Sequence, residues 1–460
     1  MITGSHKPSV LMVNPWIFDF KAFDLWMKPL GLLFISSILR QNGWQVTLID
    51  CLDRHHPSVR DGMKFRDTGT GKFATTQVEK PDTYRAIPRR YKRYGIPPNA
   101  FAADVAKAPR PDVIMVTSSM TYWYPGPHMA ISLLREAFPG VPVLLGGTYA
   151  TLCTGFARQH SGASLIVPGS DTQQILSALE EAAGVSLSIR PESFQSFPPP
   201  DYSHYPGLSS VALITSVGCP FRCTYCASGI LQGNFLAKSP DRAAGEIAQI
   251  ARDYGVKRFA FYDDALLSGP ENRIKPLLRK IIQNHGDSLS FYTPNGLHAG
   301  LIDGETARLF KQSGFRQICL GLETTEPSVM EKTGGKVKGG DLEAAVGHLF
   351  AAGFTAGEIA VYTMMGLPGQ TPAQVESTLD TLFRLGVQNR LSTFSPVPGT
   401  PDFDRIKDRF PGGLSEPLLH NNACHFYLGA WEDFPTRKYL KDKAVCLTRQ
   451  VLKTKTPLAP

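Results

Sequence analysis

Three cysteines carry the sharpest chemical signal in the sequence. Cys219, Cys223 and Cys226 stand as C-x3-C-x2-C within Gly218-Cys219-Pro220-Phe221-Arg222-Cys223-Thr224-Tyr225-Cys226. Thiolates bind zinc and iron–sulfur clusters. A structural zinc site takes four ligands, usually as paired C-x2-C knuckles, and no second pair is present. Iron–sulfur clusters are held by thiolates, usually four of them. Three close thiolates hold three irons of a [4Fe–4S] cube and leave the fourth iron open to a substrate or cofactor. A zinc site or three buried thiols is the competing reading. Cys223 and Cys226 also have the spacing of a C-x-x-C redox relay, but not its thioredoxin context. Cys51, Cys153, Cys319, Cys424 and Cys446 are scattered singly and read as bystanders.

A tight loop of three thiols needs a strand that ends just before it. Val211–Ser216 reads as that strand, and further strands follow at Arg258–Tyr262, Leu289–Thr293, Gln317–Leu322, Glu358–Met364 and Leu391–Ser395. Ser239-Pro240 starts a helix as N-cap and first-turn proline, and Gly255 stops it. Thr371-Pro372 and Gly386 bracket another. Six β/α units are too few for a closed eight-unit barrel. They predict a partial, open (β/α)6 barrel over residues 210–402.

Upstream, Val10–Val13, Gln45–Ile49, Asp112–Thr117, Val141–Leu145 and Ala163–Val167 read as short buried strands. Helical patterns near Leu30–Gln41, Met129–Ala137 and Thr172–Ala183 fall between or after them. That alternation predicts a doubly wound parallel sheet over residues 1–188, so the fold class is α/β. Residues 53–111 lack a clear period and read as an insertion, with a helix near Asn99–Lys107. The proline-bearing stretch 189–209 reads as a stiff linker. Residues 403–460 form a small mixed C-terminal extension.

Composition bounds the rest. With 42% hydrophobic and 19% charged residues in a chain of 460, disorder as the dominant state is excluded. Eight cysteines are too sparse for a disulfide scaffold. The net charge of +8 is mild at this length, so nucleic acid is an unlikely partner. No apolar run approaches the roughly 20 residues of a membrane span. No secretory signal is read at the N-terminus, and the expected location is cytoplasmic.

The cysteine spacing, placed after the first strand of a β/α series, resembles the signature of the radical S-adenosylmethionine (SAM) superfamily. The resemblance extends to the ends of the later strands: Phe259-Ala260-Phe261-Tyr262-Asp263-Asp264, Asn295-Gly296-Leu297, Gly321-Leu322-Glu323-Thr324, Met365-Gly366-Leu367-Pro368-Gly369 and Pro396-Val397-Pro398-Gly399. It implies a [4Fe–4S] cluster on Cys219, Cys223 and Cys226. It also implies SAM contacts from Tyr225, Asp263, Asp264, Asn295, Glu323, Gly366 and Pro398. In that family the SAM amino and carboxylate groups chelate the open iron. One electron then releases methionine and a 5′-deoxyadenosyl radical, which abstracts hydrogen from an unactivated carbon. Each strand-end motif also has a plainer reading: the glycines turn the chain and the aspartates cap helices. The sequence departs from many relatives in having Val217 before Gly218.

The N-terminal part resembles the cobalamin-binding domain found upstream of many radical SAM enzymes. Leu11-Met12-Val13-Asn14-Pro15-Trp16, Thr117-Ser118-Ser119, Leu145-Gly146-Gly147-Thr148-Tyr149 and Val167-Pro168-Gly169 carry this likeness. It implies corrinoid contacts from Trp16, Thr117, Ser118, Ser119, Gly146, Gly147, Thr148, Tyr149 and Gly169. The cobalamin ligand motif D-x-H-x-x-G is missing after the first strand, so no histidine ligand to cobalt is expected. The plainer reading is an α/β domain without a ligand. Together the resemblances imply a cobalamin-dependent radical SAM enzyme, foremost a C-methyltransferase acting on a small-molecule, lipid or natural-product substrate. An electron donor such as flavodoxin or ferredoxin would serve it. A non-methylating cyclisation, ring contraction or rearrangement is the alternative. A tRNA-modifying enzyme or a non-catalytic corrinoid or iron–sulfur protein ranks below both.

Overall fold

The computed structural model describes residues 7–429 and 431–453. Its chain divides into two compact units, residues 1–207 with 416–419, and residues 208–415 with 420–460.

The first unit is built on a five-stranded parallel sheet. Its strands are β1 (Ser9–Asn14), β2 (Gln45–Asp50), β3 (Val113–Val116), β4 (Val143–Leu145) and β5 (Leu165–Ile166). They lie in the order β2-β1-β3-β4-β5. Alternate residues of β1 face opposite cores, as a pleated strand requires. Leu11 and Val13 pack with Phe101 and Val105 of α2 (Pro98–Lys107) and Ile131 and Leu134 of α3 (Pro125–Ala137). Val10 and Met12 pack with Ile38 and Leu39 of α1 (Leu30–Gln41) and Leu176 and Leu179 of α4 (Thr172–Ala183). Helices thus cover both faces, and the sheet is doubly wound. The strand order reverses at β1 and β3, so ligands of such a sheet bind outside the carboxyl ends of those strands.

Two stretches differ from the sequence expectation. The insertion holds Thr75–Gln77 and Lys92–Tyr94, which join Ile17–Asp19 in a small antiparallel sheet. Three-residue strands are too short to show an alternation. Residues 189–207, expected as part of a linker, pack on α1 instead. Ser37 Oγ donates to the Pro199 carbonyl at 2.6 Å, and Asp201 accepts from Ser36 Oγ at 2.7 Å and pairs with Arg40 at 2.7 Å.

Among the described residues the second unit holds a seven-stranded sheet, in which the short Leu297–His298 pairs off the main path and six parallel strands pair in chain order. They are β6 (Val211–Leu213), β7 (Arg258–Phe261), β8 (Ser290–Tyr292), β9 (Phe315–Glu323), β10 (Ile359–Met365) and β11 (Gln388–Thr393). β6 and β11 end this path among the described residues, and its six strands follow the order of the β/α units read from the sequence. The intervening helices include α5 (Pro240–Tyr254), α6 (Lys275–His285), α7 (Gly304–Gln312), α8 (Asp341–Ala351) and α9 (Pro372–Arg384). Their punctuation is as read: Ser239 caps α5 and Gly255 ends it at φ 65°, and Thr371 with Gln374 forms a capping box on α9.

β11 begins three residues before the expected Leu391. Its polar start, Gln388-Asn389-Arg390, conceals a strand whose open edge is tied down by a helix. That helix, α10 (Phe434–Lys453), occupies the region the sequence left as mixed. It packs Leu440 and Ala444 against Val375 and Leu379 of α9. Thr448 Oγ1 and Lys441 Nζ donate to the carbonyls of Asn389 and Leu391 at 3.1 and 2.7 Å. Bonding the last strand's backbone in this way blunts an edge that would otherwise pair with other chains.

Candidate active site

The cysteine loop is built on the carboxyl end of β6. Thr215 and Ser216, immediately after that strand, are held by Asp263 at the end of β7. The Asp263 carboxylate accepts from Thr215 N, Thr215 Oγ1 and Ser216 Oγ at 3.1, 2.7 and 2.6 Å. Ser216–Val217 then pairs antiparallel with Leu236–Ala237, closing a collar around the loop. Gly218 turns the chain at φ 73°, and a Cβ there would lie 2.6 Å from the Asn234 carbonyl, so only glycine fits. Below the collar, Lys238 is buried against Glu246 of α5 at 2.5 Å.

Two straps fix the middle of the loop. Thr224 N donates to the Thr333 carbonyl at 3.2 Å, and Thr224 Oγ1 donates to buried Asp402 at 2.8 Å. Asp402 N returns a bond to the Thr224 carbonyl at 3.1 Å. The three thiols form no disulfide, and the neighbouring thiols raise the cost of ionising Cys219 and Cys226. Desolvation is the larger cause: it pushes Cys219 up, and Cys226 up to about 11. Binding iron deprotonates such thiols outright. Among the described residues no three Cys, His, Asp or Glu side chains converge as ligands of one ion. Three thiols on one loop are the donor type that holds an iron–sulfur cluster.

The carboxyl end of β9 faces this loop. Glu323 takes φ 69°, a conformation that costs a non-glycine residue energy and concentrates at functional sites. Burial pushes its carboxyl up, while Lys336 and the Tyr225 hydroxyl pull it down. Tyr225, Gly321, Glu323, Met330 and Lys336 line a cleft there. Lys336 is a cleft residue that sequence reasoning missed, because it stands in a glycine-rich loop with no motif of its own.

The other residues expected around SAM divide into two groups. Asp264 is exposed and accepts from Ser228 Oγ at 2.5 Å. Pro398 is half-buried after β11. Asp263 is 3% exposed, with its oxygens committed to Thr215 and Ser216, so it holds the loop and is not free to touch a cofactor. Asn295 Nδ2 donates to the Tyr262 and Asp263 carbonyls at 2.9 and 3.3 Å, which ties the end of β8 to that of β7. Gly366 donates to Gln370 Oε1 at 2.9 Å and accepts from His425 Nε2 at 3.3 Å.

The strand ends of the first unit divide in the same way. Ser119 is exposed, and Thr117, Gly146, Gly147, Thr148 and Gly169 are half-buried. They form a rim of hydroxyls and backbone that suits the amide side chains of a corrinoid. Two expected contacts are instead core residues. Trp16 is 1% exposed, donates to the Ile96 carbonyl at 2.6 Å and packs on Phe101. Tyr149 is fully buried with its hydroxyl on His128 at 2.9 Å. Ser118 is also internal: its Oγ donates to the Gly146 carbonyl at 2.6 Å. The sequence could not separate these from the rim, since one residue's shift along a strand end turns a side chain inward.

Gly147 packs its Cα against Ser118, and a Cβ would fall 2.1 Å from the Ser118 carbonyl at φ 92°. Gly147→Ala is expected to destabilise the chain by about 3 kcal/mol, read as a lowered urea midpoint at unchanged slope. In the first unit His128 bonds to Tyr149 Oη at 2.9 Å and His56 to Asp104 at 2.9 Å.

Residues 213–382 match the family described as the Radical SAM superfamily. Residues 213–382, within the second unit, are a radical SAM domain. Its thiol loop, the Glu323 cleft and the six ordered strands all lie in or directly beside the matched residues. The chain is 23% identical over 339 residues to an uncharacterized methyltransferase, PH0819, of Pyrococcus horikoshii, covering 66% of this chain and 72% of that one. It is 26% identical over 307 residues to bacteriochlorophyllide d C-12(1)-methyltransferase of Chlorobaculum tepidum, covering 60% and 62%. Its fold is similar to that of the radical SAM methyltransferase TsrM from Kitasatospora setae, solved with cobalamin and a [4Fe–4S] cluster. The TM-score is 0.66 at 15% identity, over 96% of this chain and 89% of TsrM. The shared fold therefore extends beyond the radical SAM domain to the first unit.

Proposed function

We propose that the protein is a cobalamin-dependent radical SAM enzyme that transfers a methyl group to an unactivated carbon of a small-molecule, lipid or natural-product substrate. The observation that carries this reading is one chain joining the strapped three-thiol loop to a doubly wound unit with an open polar strand-end rim. The full-length likeness to a cobalamin-binding methyltransferase supports the same conclusion. When bound, the cluster supplies one electron to SAM and the corrinoid supplies the methyl group.

The chain's own residues hold and orient these groups. Cys219, Cys223 and Cys226 ligate the cluster. Glu323 receives the ammonium or ribose hydroxyls of SAM, with Tyr225 against its carboxylate, and Asp264 and Pro398 border the same cofactor. Asp263, Asn295 and Gly366 position the loops around it. Thr117, Ser119, Gly146, Thr148 and Gly169 would meet the corrinoid, and no histidine is assigned to the cobalt. An electron donor such as flavodoxin or ferredoxin completes the reaction. A cytoplasmic location belongs to the same reading, and no helix among the described residues is long and apolar enough to cross a membrane.

The test is anaerobic purification with cobalamin supplied, followed by metal analysis and product analysis. The expected result is stoichiometric cobalt, with S-adenosylhomocysteine formed alongside 5′-deoxyadenosine. No cobalt would remove the corrinoid from this reading. Turnover with 5′-deoxyadenosine alone would replace methyl transfer by a cyclisation or rearrangement. Glu323→Gln is expected to weaken SAM binding about tenfold, or ~1.4 kcal/mol. Equilibrium dialysis of SAM against the cluster-loaded protein measures it.

A further inference from the structure

An unassigned cation sits on the face of the sheet that carries the Glu323 cleft. Gly321, Tyr362 and Arg390 stand side by side in register across β9, β10 and β11. Paired residues of neighbouring strands project from the same face. Gly321 lines the Glu323 cleft, so Tyr362 and Arg390 share its side of the sheet. Leu391, the next residue of β11, points the other way and packs among the helices.

Arg390 is pre-set in this position. Its Nη1 donates to Tyr362 Oη at 3.0 Å and to the sulfur of Cys319 at 3.4 Å. Tyr362 Oη in turn donates to the Pro294 carbonyl at 2.8 Å, which fixes the phenol as an acceptor toward the guanidinium. The guanidinium also lies over the Tyr362 ring, 5.5 Å from its centre. Both side chains are half-buried. Among the described residues no carboxylate pairs with Arg390, and its Nη2 and Nε make no hydrogen bond.

A half-buried guanidinium without a counter-ion carries a desolvation cost that an anion would offset. Its planar fork of donors matches the two oxygens of a carboxylate or phosphoryl group. The two bonds from Nη1 orient that fork and leave its other N–H groups for a ligand.

We propose that Arg390, held by Tyr362 and Cys319, binds an oxyanion of the substrate, a carboxylate or a phosphoryl group. The assignment rests on the proposed SAM site at Glu323, beside which a substrate carbon attacked by the SAM-derived radical has to lie. It adds that the substrate is an anion.

Calorimetric titration of the cluster-loaded protein with inorganic phosphate, and separately with acetate, tests this without turnover or cobalamin. Saturable binding of at least one is expected, and which one binds tells phosphoryl from carboxylate. Arg390→Gln should weaken it at least tenfold and Tyr362→Phe about threefold. Arg390→Lys, which keeps the charge but loses the fork, should bind at an intermediate level and guards against a folding defect in the glutamine variant. Adding SAM should leave the anion bound. No binding of either anion to the wild type would overturn the proposal, as would equal binding by wild type, Arg390→Gln and Arg390→Lys. Displacement of the anion by SAM would give Arg390 to the cofactor and overturn the substrate assignment. A protein that binds the anion through Arg390 yet forms no methylated product would remove methyl transfer and leave this assignment standing.

Discussion

Cys223→Ala is expected to abolish SAM cleavage, with 5′-deoxyadenosine formation falling more than about 100-fold and iron lost from about four per chain. The expectation rests on where the side chain sits. The backbone on either side of Cys223 is fixed by bonds that do not involve its sulfur: Thr224 is strapped to Thr333 and to Asp402. Removing the thiol therefore removes a ligand while the loop keeps its path. A loop with two thiolates of a cube's protein ligands cannot hold it, so the loss is close to complete and not graded. Iron analysis after anaerobic reconstitution, with product quantification by mass spectrometry, measures both effects. Cys446→Ala is the matched control. Cys446 is exposed on α10, away from the loop in sequence, and its loss should leave iron and product at wild-type levels. Full iron in the Cys223 variant would refute the ligand assignment.

The second large effect is structural and falls on Asp263. Its carboxylate accepts three bonds from Thr215 and Ser216 and stands 4.0 Å from the Arg273 guanidinium, all within the interior. Asp263→Asn keeps the shape but removes the charge and turns one acceptor oxygen into a donor. Arg273 then loses its nearby counter-charge, and a donor among Thr215 and Ser216 loses its partner. Unsatisfied buried groups of this kind cost about 3 kcal/mol together. The chain's urea midpoint should fall accordingly. Because the same bonds anchor the start of the cysteine loop, cluster retention should fall with it. Unchanged stability with weakened SAM binding would return Asp263 to the cofactor contacts expected from the sequence.

Asp263 also shows where reading the sequence stops. That an acidic pair ends β7 is legible, because a buried apolar run followed by Asp-Asp marks a strand end. Which of the two turns inward is not, since it depends on what β6 places beside it. Trp16 is a similar case. An indole after β1 reads equally as a ligand platform or a core residue. Here the Ile96 carbonyl, far along the chain and inside the insertion, satisfies its N–H and settles it as core. The three thiols, the parallel order of both sheets and most helix boundaries were legible because they depend on local spacing and capping. α10 was not, because a charged helix with few apolar positions has little periodicity to show. Arg390 was hidden for a related reason: its meaning comes from alignment with Gly321 and Tyr362 across strands, which no local pattern encodes.

The small segment Glu416–Leu419 bears on how the protein can be taken apart. It belongs to the first unit although the residues on both sides of it belong to the second. The chain thus passes between the units three times, not once. Within the first unit, the fully buried Tyr84 donates its hydroxyl to the Leu418 carbonyl at 2.9 Å. A fragment cut after residue 207 would lose this buried bond. The first unit is consequently not a detachable cassette. A chimera that exchanges the first unit between related proteins has to carry this distant tetrapeptide along, and a limited-proteolysis fragment of the N-terminal half will survive only if the tetrapeptide remains associated with it.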